Sequence, residues 1–332
     1  MKHFFVISLL FSLCLASVSF TACKGNSEKM ERNEKLTILD AKIKKNPNDA
    51  ELYLQRGQIL LEMQKVNEAI ADFLHATELD DKNPVYFTAL GNAYFMNGDV
   101  ANSYEALQNA LSLDPKNLEA LNKLAEISYL SKDYERAMET LNKVTEQDKN
   151  NQIAFFMKGS IYKETGDTAK AVQYFRRVIE LYPENARAYE ELGLIYAAEK
   201  NILAEEYLTT AVRLDSTNVN TLYNLAILYQ DLEEAEKAIN IYVRILEIDP
   251  QNKWAWHNRG YIEMVLFEDY DSAIEFFTKA IDADSQFLEA HFNRGIAYET
   301  KGDRNNARLC FQAALSINPE YAPAKEALNR VK

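Results

Sequence analysis

The sequence predicts an all-α chain of stacked helix–turn–helix units, on three observations. Small residues recur at near-constant spacing: Gly57, Gly91, Ala125, Gly159, Gly193, Ala226, Gly260 and Gly295 stand 34, 34, 34, 34, 33, 34 and 35 residues apart. Within each period the apolar residues fall at helical spacing in two runs separated by a turn. Pro47, Pro115, Pro183, Pro250 and Pro319 keep phase with them, where a second helix must stop. One such hairpin cannot bury both its faces, so each copy needs neighbours. An array of this kind grows by stacking, so 332 residues need no single large core.

Taken in order, residues 1–22 come first. They have a basic start, an apolar run from Phe4 to Val18 and then small residues. That is the layout of an export signal, too short for a membrane span. The segment resembles a bacterial lipoprotein signal. Thr21 and Ala22 are the small residues before Cys23, and Phe20 stands where an aliphatic residue is usual. The resemblance implies cleavage before Cys23 and lipid attachment to its thiol. The alternative is ordinary cleavage after Ser19, with Ser17 at the −3 position and Cys23 unmodified. Residues 23–49 read as a polar leash, "KGNSEKMERNEK", and an N-terminal helix over 28–45 in second-helix register.

Residues 50–321 hold the array, divided as 50–83, 84–117, 118–151, 152–185, 186–218, 219–252, 253–287 and 288–321. The fourth unit shows the pattern. Phe155, Gly159 and Tyr162 share one helix face; Ala171, Phe175 and Val178 share the next. Gly166 suits the left-handed residue that ends a helix, and Asp167 suits the N-cap of the following one. Gly159 and Ala171 are small because the two helices cross there. The bulky second-helix position is Phe73, Leu107, Leu141, Phe175, Leu208, Tyr242, Phe277 or Phe311 in turn. The fifth unit is one residue short and the seventh one residue long. Residues 322–332 read as a capping helix with Pro323 in its first turn. "DTA" (167–169), "DST" (215–217) and "DSA" (271–273) are read as helix N-caps rather than as glycosylation acceptors.

This pattern resembles the tetratricopeptide repeat (TPR). The resemblance implies a right-handed superhelical solenoid of about eight repeats. Its first helices would line a concave groove that holds a peptide or helix of another protein. The groove positions implied for this sequence are Asn92, Phe95, Tyr129 and Phe156 in the earlier units. In the later ones they are Tyr223, Asn224, Trp254, His257, Asn258, Tyr261, Phe292 and Asn293. Met96, Asn122, Lys123 and Met157 accompany the earlier group, and Glu190 with Glu191 reads as solvated charge. Trp254 is expected to face the groove and Trp256 the core. The family's carboxylate-clamp pattern is not reproduced, so capture of an acidic C-terminal peptide in that manner is not expected.

Composition narrows the chemistry. Fifty acidic residues against 37 basic ones give a formal charge of −13, which disfavours nucleic acid, since phosphate binding needs clustered Lys and Arg. There is no P-loop, HExxH, CxxC or dinucleotide loop. No catalytic residue, cofactor or metal is therefore expected, and His257 with His291 lacks a carboxylate at matching spacing. Cys310 reads as a small buried hydrophobe. The expected function is a non-enzymatic scaffold, lipid-anchored at Cys23 in a bacterial envelope membrane. Alternatives are a soluble periplasmic or secreted scaffold, and a small-molecule binder or enzyme using His257, Glu263 and Trp254. Self-association is compatible with either scaffold.

Overall fold

The computed structural model describes residues 30–331, and Cys23 and the export-type segment lie outside them. Every regular element among the described residues is an α-helix. The chain divides into two compact units, with the boundary between Ile161 and Tyr162.

In the first unit α1 (30–45) precedes the helix pairs α2–α3 (Ala50–Glu62, Val66–Leu79), α4–α5 (Pro84–Met96, Val100–Leu113) and α6–α7 (Leu118–Leu130, Tyr134–Gln147), and then the start of α8 (Gln152–Glu164). Leu39 and Ile43 of α1 are buried in the cluster that holds Leu52, Leu60, Ile70 and Phe73. α1 thus packs on the first hairpin.

The second unit contains α9 (Thr168–Leu181) and the pairs α10–α11 (Ala186–Ala198, Leu203–Leu214), α12–α13 (Val219–Asp231, Ala235–Ile248), α14–α15 (Lys253–Val265, Tyr270–Ala283) and α16–α17 (Leu288–Thr300, Arg304–Ile317). It ends in α18 (Ala322–Arg330). α18 begins with Pro at its first turn and buries Ala327 and Val331 against Phe311. The bidentate pair of Arg330 with Glu299 and the Arg308 hydrogen bond to the Val331 carbonyl tie it down.

Size complementarity makes each hairpin. A Cβ built on Gly57 would stand 2.4 Å from the Phe73 ring, and one on Gly295 2.5 Å from Phe311. Gly91 and Gly193 meet Leu107 and Leu208 in the same way, each at 2.6 Å. All the bulky second-helix residues are fully buried. The ring of the second helix therefore occupies the space that a first-helix side chain would take.

The turns follow the expected chemistry in part. Gly166 has φ 82°, and Asp167 accepts from the Lys170 N–H. Equivalent Asp caps stand at Asp99, Asp133, Asp269 and Asp303. Five of the turns place a non-glycine residue at positive φ instead: Gln64, Lys132, Lys200, Glu233 and Glu268. Two of the three capping expectations are corrected. Asp215 ends α11, where its Oδ1 accepts from the Thr217 N–H, and Asp271 lies inside the first turn that Asp269 caps.

Candidate functional site

The groove residues fall into two groups, one in each unit. In the first unit Asn92 Nδ2 donates to Glu119 Oε1 at 2.6 Å. Phe95 is half-buried beneath the Lys123 ammonium, 4.5 Å from its ring centroid. Lys123 also pairs with Glu126. Tyr129 is half-buried and tilted against Tyr134 at 6.0 Å, and Phe156 is half-buried. The Oδ1 atoms of Asn92 and Asn122 are buried with no hydrogen-bond partner among the described residues.

The second unit brings its residues together more tightly. Asn224 Nδ2 donates to Glu190 Oε1 at 2.8 Å. One hairpin later, Asn258 Nδ2 donates to the hydroxyls of Tyr223 and Tyr242, at 3.0 and 2.9 Å. Another hairpin later, Asn293 Nδ2 meets His257 Nε2 at 2.9 Å. Each Asn thus reaches back to the face residue of the hairpin before it, forming a ladder of side-chain hydrogen bonds. Each rung contributes about 1 kcal/mol net, and removing one leaves buried groups unpaired.

The ladder fixes the state of His257. Both Asn258 N–H groups are engaged by tyrosines, so its Oδ1 faces His257 Nδ1 at 3.0 Å as an acceptor. In this amide orientation Nδ1 carries the proton, and Nε2 accepts from Asn293. That is a neutral imidazole, and burial also holds its pKa below the usual histidine value. Burial likewise raises the Tyr242 hydroxyl pKa.

This geometry corrects part of the expected site. Asn258 is only 8% exposed and supports the face from beneath. Asn224 and Asn293 use their amide N–H groups on neighbouring hairpins. Phe292 is half-buried against Phe311 and Tyr321, as part of the C-terminal packing. Glu190 and Glu191 are half-buried partners of Asn224 and Lys163, not freely solvated charge. Trp254 and Tyr261 do remain accessible, at 45% and 38% exposure. Trp254 stands edge-on to Phe287 at 4.6 Å with the Lys253 ammonium over its ring, so its orientation is fixed while nearly half of its surface stays exposed. Trp256 is half-buried rather than core: it stacks on Phe276, and its indole N–H donates to the Pro250 carbonyl.

Of the basic residues that stand just before the small residue, sequence reasoning missed Arg56, Lys158 and Arg294. Arg56 makes a bidentate pair with Asp72, which is almost fully buried, and reaches Asp40 as well. Lys158 is buried and donates to Thr145 Oγ1. Arg294 donates to Thr278 Oγ1 and Cys310 Sγ, and Cys310 is buried as expected. Arg259 lies over the Phe276 ring at 4.1 Å, with its pKa lowered by burial. The available signal was a charged residue at a position that is Leu in Leu90, Leu124, Leu192 and Leu225.

Among the described residues no group of three His, Cys, Asp or Glu side chains is placed to hold a metal ion. His291 turns its Nε2 to the Ser285 carbonyl and does not converge with His257. No described helix is long and apolar enough to cross a membrane.

Comparison with known proteins follows the repeats. Residues 84–189 match the family described as the cytochrome c-type biogenesis protein H TPR domain. Residues 57–98, 219–252, 255–287 and 288–321 match TPR families. Over 87 residues the chain is 30% identical to Protein bimA of Emericella nidulans, covering 26% of this chain and 11% of that protein. Over 145 residues it is 25% identical to Protein O-mannosyl-transferase TMTC3 of Homo sapiens, covering 43% and 16%. The chain thus spans less than a fifth of the length of these two relatives. A solved TPR protein from Parabacteroides merdae superposes with a TM-score of 0.51 at 19% identity, covering 75% of this chain and 98% of that one, which shows the fold. With repeat matches across 57–189 and 219–321, residues 253 and 254 excepted, the chain is a tetratricopeptide repeat protein.

Proposed function

We propose that this protein is a non-enzymatic scaffold, exported and anchored by lipid on Cys23 in a bacterial envelope membrane. A segment of another protein lies against its first-helix faces. The observation that carries the binding claim is the exposure of Trp254 and Tyr261, on a helix whose neighbouring amides are already satisfied. A rigid, partly exposed aromatic is what concentrates binding energy in protein interfaces. The basic start, apolar run and small residues before Cys23 support export and acylation. The description of the family matched by 84–189 names a biogenesis protein, and an assembly role on another protein is the corresponding reading here.

Two measurements test this. The mass of the mature N-terminus separates the readings of Cys23: a diacylated or triacylated cysteine supports anchoring, and an unmodified one refutes it. Affinity capture from the cell's own membranes, with intact protein beside a folded Trp254→Ala/Tyr261→Ala variant, tests the face. A discrete partner held by the former and lost by the latter supports the site; equal capture by both refutes it.

A further inference from the structure

We propose a second docking surface in the second unit, on the edge formed by its hairpin turns, for a basic amphipathic helix. Three consecutive turns there carry apolar residues in water. Ile202 between α10 and α11 is 89% exposed, and Leu232 between α12 and α13 is 51% exposed. Val265 at the end of α14 and Leu266 and Phe267 just after it are exposed together. The first two turns border one cleft of about 730 Å³, lined by Ala197, Ala198, Ile202, Leu228 and Leu232.

The fold does not need the Ile202 side chain, which is 89% exposed. Ile202 holds the position that Asp99, Asp133, Asp167, Asp269 and Asp303 fill as helix caps. It makes no cap itself, and Asn201 Oδ1 accepts the Leu203 N–H instead. A polar residue would fit Ile202's place at no cost in packing.

Charge and spacing select the occupant. Glu199, Asp231, Glu233 and Glu268 lie within three residues of these apolar tips and make no ion pair among the described residues. Lys200 stands beside the cleft, and Lys237 is already paired with Glu205 and Glu234. Two copies of this edge would bring carboxylates together, so a cationic partner is favoured over a second copy. First helices of successive hairpins touch, as α10 and α12 do, which implies a spacing of about 10 Å. Seven residues of helix advance by about 10.5 Å. An apolar stripe repeating every heptad, flanked by Lys and Arg, therefore matches one turn after another.

The test uses the full chain and a defined probe, a three-heptad helix with Leu on one face and Lys elsewhere, beside the same helix with Glu for Lys. The Lys helix binds and the Glu helix does not. Ile202→Ser/Leu232→Ser weakens the Lys helix about tenfold with the circular dichroism unchanged, and Trp254→Ala/Tyr261→Ala leaves it unaltered. That last arm separates this surface from the first-helix face. Failure of the Lys helix to bind, or binding that ignores the serine variant, overturns the proposal. So does co-sedimentation with anionic vesicles that the serine variant abolishes, which would make the occupant a membrane. Sedimentation velocity showing a dimer that the same variant dissociates would make the occupant a second copy, and equally overturn it.

Discussion

The two units share one architecture and handle polar side chains in different ways. In the second unit the amides on the first-helix face are linked from hairpin to hairpin, so Asn224, Asn258 and Asn293 hold the stack together. What remains accessible there is aromatic. In the first unit one face amide, Asn92, links its hairpin to the next through Glu119, and an ion pair lies deeper, between the almost fully buried Asp72 and the partly buried Arg56. Its face keeps two buried amide oxygens, on Asn92 and Asn122, without partners. A repeat fixes where a side chain points, and the neighbouring copy decides whether it supports the fold or meets a ligand.

The sharpest way to break this contrast is at Asp72. Asp72→Ala leaves the Arg56 guanidinium without its bidentate partner in a largely buried place, at a cost of about 3 kcal/mol. Asp40 still reaches Arg56 from an exposed position, which limits the loss. Urea unfolding followed by a first-unit probe checks the value, and Arg56→Leu/Asp72→Leu should recover most of it. Gly295→Ala comes next, since its Cβ would enter the Phe311 ring; overpacking costs about 1–3 kcal/mol. A melt showing no change would remove size complementarity from the account.

Asn258→Ala should destabilise the second unit by about 2 kcal/mol, because two tyrosine hydroxyls and His257 lose a partner together. The first unit should unfold as before, and limited proteolysis can read the units separately.

The pH dependence sharpens the same point. His257 has a depressed folded pKa, caused first by burial. Its contribution to stability is therefore complete above about pH 6.5, the unfolded value, and declines as pH falls from there toward the folded pKa. Wild type should lose second-unit stability between pH 7 and pH 5 more steeply than His257→Gln. Parallel curves would contradict the depressed His257 pKa and the neutral imidazole.

The smallest effect is expected at the turns. Lys132 and Lys200 hold φ of 59° and 53°, where a side chain is strained. Lys132→Gly and Lys200→Gly should each stabilise by about 0.5–1 kcal/mol, one in each unit.

What the sequence made legible is the part that depends on local spacing. Gly57, Gly193 and Gly295 mark helix crossings because smallness at one position and bulk sixteen or fifteen residues later are both visible. Asp167 caps its helix because capping involves only the next three residues. The fate of Asn258 was not legible. Its partners Tyr223 and Tyr242 stand thirty-five and sixteen residues away, and repeat register alone places it on the binding face. Arg56 and Lys158 were hidden for a related reason: a cation reads as solvated until its buried partner is known. Asp215 and Asp271 misled because the Asx side chain serves helix ends and first turns as readily as caps.

Trp254 and Tyr261 are proposed to meet the partner of the second unit, while its amides hold the stack. Hydroxyl-radical footprinting with and without the captured partner tests this most directly. Oxidation of Trp254 and Tyr261 should fall on binding, while Tyr174 on the second helix α9 is oxidised as before. Unchanged oxidation of Trp254 and Tyr261 in the bound state would contradict it.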